Sequence, residues 1–125
     1  MYNRGVLARP KQLRWVGSSL SDLRRFPKSV QRHVGRALFA AQSGIEHPDV
    51  KALQGFRGRS VLEIRTDDNK NTWRTVYTVR FADVVYVLHA FQKKAKSGIA
   101  TPRPELELIQ TRLSAAERHH RERQN

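Results

Sequence analysis

The sequence predicts an α+β fold, a small antiparallel sheet with N-terminal helices and a C-terminal helix packed on it. Three observations carry this expectation. Apolar residues at Leu20, Leu23, Phe26, Val30, Val34, Leu38 and Ala41 recur every three or four positions, the period of an amphipathic helix. Between residues 60 and 91 the period changes to two, the signature of half-buried strands. From Leu106 the helical period returns through Ile109, Leu113 and Ala116. The order strand, helix, helix, strands, helix predicts helices on one face of the sheet.

Each element has its own local reason. Residues 1–10 show no periodicity and read as a loose lead-in. Lys11 to Val16 alternates, with Leu13 and Trp15 on one side, which suits a short strand at a sheet edge. Ser18-Ser19 offers an N-cap, and Asp22 stands where a capping box places an acid. Pro27 fits the first turn of a helix and not its interior. A short helix is therefore expected to about Arg25 and a longer one from Pro27 to Ser43, stopped by Gly44. Its outward row of Arg24, Arg25, Lys28, Arg32 and Arg36 is either a solvated face or a nucleic-acid contact.

Residues 45–58 read as a loop. Gly55-Phe56-Arg57-Gly58 lacks the strand and helix context of a phosphate-binding loop. Ser60 to Thr66 alternates, with Leu62 and Ile64 on one face and Val61, Glu63 and Arg65 on the other. Asp67-Asp68-Asn69-Lys70-Asn71 is turn chemistry. Trp73 to Phe81 alternates again, setting Trp73, Thr75 and Tyr77 against Arg74, Val76 and Thr78. Val84 to Phe91 is apolar on both faces, hence central or covered. Lys93 to Ala100 is a basic loop, and Thr101-Pro102 opens the last helix. The polar tail from Glu117 is expected to fray. The whole is expected to be one domain spanning residues 1–125.

The net charge of +13, from 24 Lys and Arg against 11 Asp and Glu, implies an anionic partner. The charge lies on the first third and on the sheet, whereas residues 37–50 hold two acids and no Lys or Arg. There is no cysteine, which excludes disulfides, a thiol nucleophile and a Cys-based zinc site. No His, Asp or Glu pair has ligand spacing on one expected element, so neither a metal nor a cofactor is expected. No apolar run approaches the roughly 18 residues of a membrane span, and no signal segment opens the chain. A cytoplasmic protein is the expectation.

What remains is a constellation of cations. Arg65 and Arg74 flank the turn at comparable distance and can lie across from each other in a hairpin. Two arginines side by side repel unless an anion bridges them, and a phosphodiester is such an anion. The alternative is that Arg65 pairs with Glu63, Asp67 or Asp68. His89 on the core strand is either a packed, hydrogen-bonded residue or an acid/base; Tyr77 is expected in the core. RNA supplies its own nucleophile, the 2′-hydroxyl, so positioned cations can suffice to cleave it.

Leu53-Gln54-Gly55, Val61-Leu62-Glu63-Ile64-Arg65, Trp73-Arg74-Thr75-Val76-Tyr77, Leu88-His89-Ala90-Phe91-Gln92-Lys93-Lys94 and Thr101-Pro102 follow one another in this order. Together they resemble the RelE/ParE toxin superfamily, and most closely its HigB-like, phage-related branch, over roughly residues 11–113. The resemblance implies a RelE-like fold and the toxin of a type II toxin–antitoxin pair. Such toxins commonly cleave mRNA without a metal, often on the ribosome, and are neutralised by an antitoxin, typically a helix-turn-helix protein in this branch. Carried over, Arg65, Arg74, Lys93 and Lys94 would hold and charge-stabilise the scissile phosphate. Tyr77 would support or take part in the chemistry, and His89 would act as acid or base. Arg57, Arg59 and Lys96 are expected as further RNA contacts. Two other readings stay open. ParE-like members of the superfamily inhibit DNA gyrase, and the charge alone suits a non-catalytic nucleic-acid-binding module.

Overall fold

The computed structural model describes residues 9–56, 58, 60–93 and 101–124. The elements are β1 (Gln12–Trp15), α1 (Ser19–Arg24), α2 (Lys28–Gln42), β2 (Val50–Ala52), β3 (Val61–Asp68), β4 (Asn71–Thr78), β5 (Val84–Lys93) and α3 (Arg103–Gln124). The strands form one sheet in the order β1-β5-β4-β3-β2. The meander β3-β4-β5 is antiparallel, as its alternation and turns predict. β1 adds to its far side in parallel with β5, so the sheet is mixed. β2 is a three-residue edge strand on β3, within a segment expected to be loop.

Burial divides the apolar residues between the two faces. α1, α2 and the link between them pack Leu23, Phe26, Val30, Val34 and Leu38 against Leu62, Ile64, Tyr77, Val85 and Val87. α3 packs Ile109, Leu113 and Ala116 on the other face, against Val61, Val76, Val84, Tyr86 and Leu88. This corrects the expectation of helices on one face. Val84–Ala90 is buried throughout, because β5 has helices above and below and a strand on either side. A fully buried Val, Leu or Ile contributes about 1.5–3 kcal/mol relative to exposure, so the continuous apolar run is what permits a layer on each face.

The tail expected to fray is helical to Gln124. Long-range bonds hold it: Arg80 Nη1 donates to Glu117 at 2.9 Å, Tyr86 Oη meets His119 Nδ1 at 2.6 Å and His120 Nε2 meets Asp83 at 2.9 Å. Phe81 also stacks on His120. Gly17, in the left-handed region at φ 56°, lies where a Cβ would come within 2.9 Å of Arg112 Nε, so α3 closes tightly on the β1–α1 turn. Among the described residues no helix is long and apolar enough to cross a membrane.

Candidate active site

β3 and β4 join through Asn69-Lys70, both with positive φ (51° and 67°), the backbone twist that favours a tight hairpin. The resulting register sets Arg65 directly opposite Arg74. Cross-strand partners share a face with their Cβ atoms about 5 Å apart, and here it is the face that α3 covers further along. On the other side of Arg74 stands Phe91, and Lys93 stands opposite Thr72.

A β-bulge in β5 creates that last alignment. Val76 pairs with His89, but Tyr77 pairs with Val87, so Leu88 is an extra residue on its strand. Strict alternation from Val85 and Val87 would carry His89, Phe91 and Lys93 onto the α2 face. The bulge turns them to the α3 face, beside Arg74.

Arg74 is 4% exposed. Its Nη1 donates to both carboxylate oxygens of Glu63, at 3.0 and 2.9 Å, while its buried Nε has no hydrogen-bond partner. The carboxylate neutralises the buried charge and leaves part of the guanidinium's donor set unused. Arg65 is half exposed and touches Asp67 only at 3.5 Å. Of the alternative partners for Arg65, the structure adopts Asp67 and not Glu63, which pairs with Arg74. The Lys93 ammonium is pushed below its ordinary value by partial removal from water, then by the Arg74 and Arg65 charges, with Glu63 acting the other way. All three cations therefore feel one another across the strands. An open groove of about 920 Å³ runs over Lys51, Leu53, Glu63, Arg65, Arg74 and Leu106, across the edge of β3.

His89 does not line this groove. It is 6% exposed, stacks on Phe91 at 4.8 Å, and both ring nitrogens are engaged by α3. Nε2 lies 2.7 Å from Glu105, and Nδ1 lies 3.4 Å from Arg112 Nη1, which also donates to the Leu88 carbonyl. Carboxylate only accepts and guanidinium only donates, so the network assigns the proton to Nε2. This is the packed, hydrogen-bonded alternative for His89. Tyr77 is also apart from the cations: it is 1% exposed in the opposite, α2-side core. Burial, with the Glu46 charge second, holds its hydroxyl pKa far above the ordinary value. Lys94, Lys96, Arg57 and Arg59 lie outside the described residues.

Sequence reasoning missed Glu63 as the holder of Arg74, although it stands two residues before Arg65. It also missed Glu105 and Arg112, which flank the apolar stripe of α3 and carry no motif. A further group escaped it on the α2 side of the same groove. There His33 Nδ1 meets Thr66 Oγ1 at 2.6 Å and His33 Nε2 meets Asp49 Oδ2 at 2.8 Å, with His47 beside them. Residues from a helix, a loop and a strand share no sequence spacing, so no local signal announced them.

A family model described as phage derived protein Gp49-like (DUF891) matches residues 21–114. A chain of a solved structure, the toxin–antitoxin complex RelBE2 from Mycobacterium tuberculosis, aligns over 72% of this chain and 99% of its own length, at 16% identity and a TM-score of 0.49. No curated protein matches the chain.

Proposed function

The chain belongs to the Gp49-like family of phage-derived proteins, and from that membership we propose that it is a toxin of the RelE/Gp49 kind that cleaves mRNA. The family agrees with the phage-related RelE/ParE resemblance of the motifs. In this reading the substrate is mRNA on the ribosome, the compartment is the cytoplasm and the neutralising partner is an antitoxin of helix-turn-helix type.

The observation that carries the reading is the cross-strand pair Arg65 and Arg74 with Lys93 beside it. A scissile phosphate in the groove meets the Arg65 and Arg74 guanidinium groups that line it, while the Lys93 ammonium, outside the lining, adds its charge from β5. The phosphate's charge grows as the 2′-oxygen bonds to phosphorus and the bond to the 5′-oxygen breaks, giving a 2′,3′-cyclic phosphate and a 5′-hydroxyl. The 2′-hydroxyl gives its proton to water and the leaving 5′-oxygen takes one from water. Fixed cations stabilise the crowded phosphate more than the ground state, which is the requirement for catalysis. No metal is needed for this step, because the nucleophile comes with the RNA. Arg74 grips from a buried position set by Glu63, and Arg65 from the rim. Lys93, already burdened by two neighbouring charges, gains most from an arriving anion. His89 serves from behind as a positioning residue, fixing Phe91 and the end of β5 through Glu105 and Arg112. Arg57, Arg59, Lys94 and Lys96 are proposed to extend the cationic surface along the RNA.

The test is induced expression in a bacterial host, with mRNA 5′ ends mapped within minutes. New in-frame cuts, absent with Arg65→Ala and with Arg74→Ala, are expected. Growth arrest with intact mRNA would replace this reading with inhibition of a protein such as gyrase. No arrest at all would leave a nucleic-acid-binding module.

A further inference from the structure

We propose that His33, His47 and Asp49 form a binding site for a divalent transition ion of the Zn²⁺ class, on the α2-side wall of the groove. One ligand atom from each, a ring nitrogen of either histidine and a carboxylate oxygen, lie within 4.8 Å of one another. His33 Nε2 and Asp49 Oδ2 are 2.8 Å apart, and Asp49 Oδ2 and His47 Nδ1 are 4.0 Å apart. Zinc holds nitrogen and oxygen at about 2.0–2.2 Å, so tetrahedral ligands stand roughly 3.3 Å apart. The His33–Asp49 separation lies below that value and the His47–Asp49 separation above it, so binding draws the side chains into new rotamers.

The surroundings suit the ion. The two imidazoles meet edge to face at 5.2 Å, which gathers them without a charge. Thr66 Oγ1 holds the far nitrogen of His33 at 2.6 Å. Its hydroxyl donates to Nδ1 while Nε2 carries the proton toward Asp49. When a metal takes Nε2, the proton sits on Nδ1 and the same hydroxyl accepts it. A ligand imidazole whose other nitrogen is hydrogen-bonded is the usual arrangement at metal sites. His47 Nδ1 accepts the Asp49 amide at 3.1 Å, a bond that its lone pair gives up when it turns to the ion. Residues 37–50 contain two acids and no Lys or Arg in a chain of net +13, whereas Lys51 and Arg65 line the same groove.

Three protein ligands leave at least one position to water, the pattern of an open site and not of a closed structural one. The Arg65 amide donates to the Asp49 carbonyl at 3.2 Å. An ion here would therefore tie the His47–Asp49 turn to α2 and stiffen the rim beside Arg65. This inference does not depend on RNA cleavage.

The test is calorimetric titration of the full chain with Zn²⁺, and with Co²⁺ followed by its visible spectrum, with circular dichroism confirming each variant's fold. One equivalent is expected to bind the wild type. His47→Ala and the isosteric Asp49→Asn should each lose that equivalent, and Thr66→Val should weaken it by about tenfold or more. The double variant His119→Ala/His120→Ala should bind as the wild type does. Absence of saturable binding by the wild type, retention of full affinity in both His47→Ala and Asp49→Asn, or loss in the His119→Ala/His120→Ala variant would each overturn the proposal.

Discussion

Arg74 donates from one nitrogen, Nη1, to both carboxylate oxygens of Glu63, and both side chains are largely withdrawn from water. Such a pair contributes little net stability when intact, because desolvation offsets the attraction. Breaking it leaves an uncompensated buried charge. Glu63→Ala is expected to lower unfolding free energy by about 3–5 kcal/mol, read by urea denaturation. A loss below about 1 kcal/mol would show that Arg74 can turn to solvent and is not fixed by Glu63.

Arg65 separates function from fold. Its guanidinium is half exposed and leans on Asp67 at 3.5 Å, so Arg65→Ala should change stability by no more than about 0.5 kcal/mol. The same substitution should abolish mRNA cuts on induction. Wild-type cutting by Arg65→Ala would remove the cross-strand arginine pair from the mechanism.

Lys93 carries its charge at a cost in the folded protein. Its folded pKa lies below the ordinary lysine value, through partial removal from water and then Arg74 and Arg65. The unfolded chain therefore binds the proton more tightly, and stability rises with pH between the folded and the unfolded value. Lys93→Met is expected to raise Tm at neutral pH, to flatten the alkaline rise and to weaken RNA binding. A Tm unchanged or lowered at neutral pH would contradict the charge crowding.

The bulge at Leu88 makes a prediction about register. Thr72 stands opposite Lys93, whereas a strand without the bulge would set Thr72 opposite Gln92. The chain has no cysteine, and directly opposed strand residues fall within disulfide reach. Thr72→Cys/Lys93→Cys should oxidise readily and Thr72→Cys/Gln92→Cys should not. The reverse pattern would remove the bulge and return Lys93 to the α2 face.

Tyr77 supplies a negative control. Its hydroxyl is buried on the face opposite the arginines, so Tyr77→Phe is expected to cut mRNA at the wild-type rate. Loss of cutting in a variant that melts like the wild type would move the active site away from the groove.

The sequence by itself determined the helical stripes of α2 and α3 and the meander, and it allowed Arg65 and Arg74 to lie across from each other, which the register then established. Each rests on neighbours in the chain, a period of 3.6 or 2 and the turn residues 67–71; the structure narrows that turn to Asn69-Lys70, which fixes the register. It also showed β5 to be apolar on both faces, hence central or covered. Only the tertiary structure decided that α3 takes the face opposite α2, that β1 joins β5 in parallel and that Val50–Ala52 forms an edge strand. Only it decided that Leu88 bulges, that Glu105 and Arg112 enclose His89, and that His33, His47, Asp49 and Thr66 meet. These are choices among distant partners, settled by which packing buries the most apolar surface and leaves the fewest polar groups unpaired. Spacing along the chain carries no record of them.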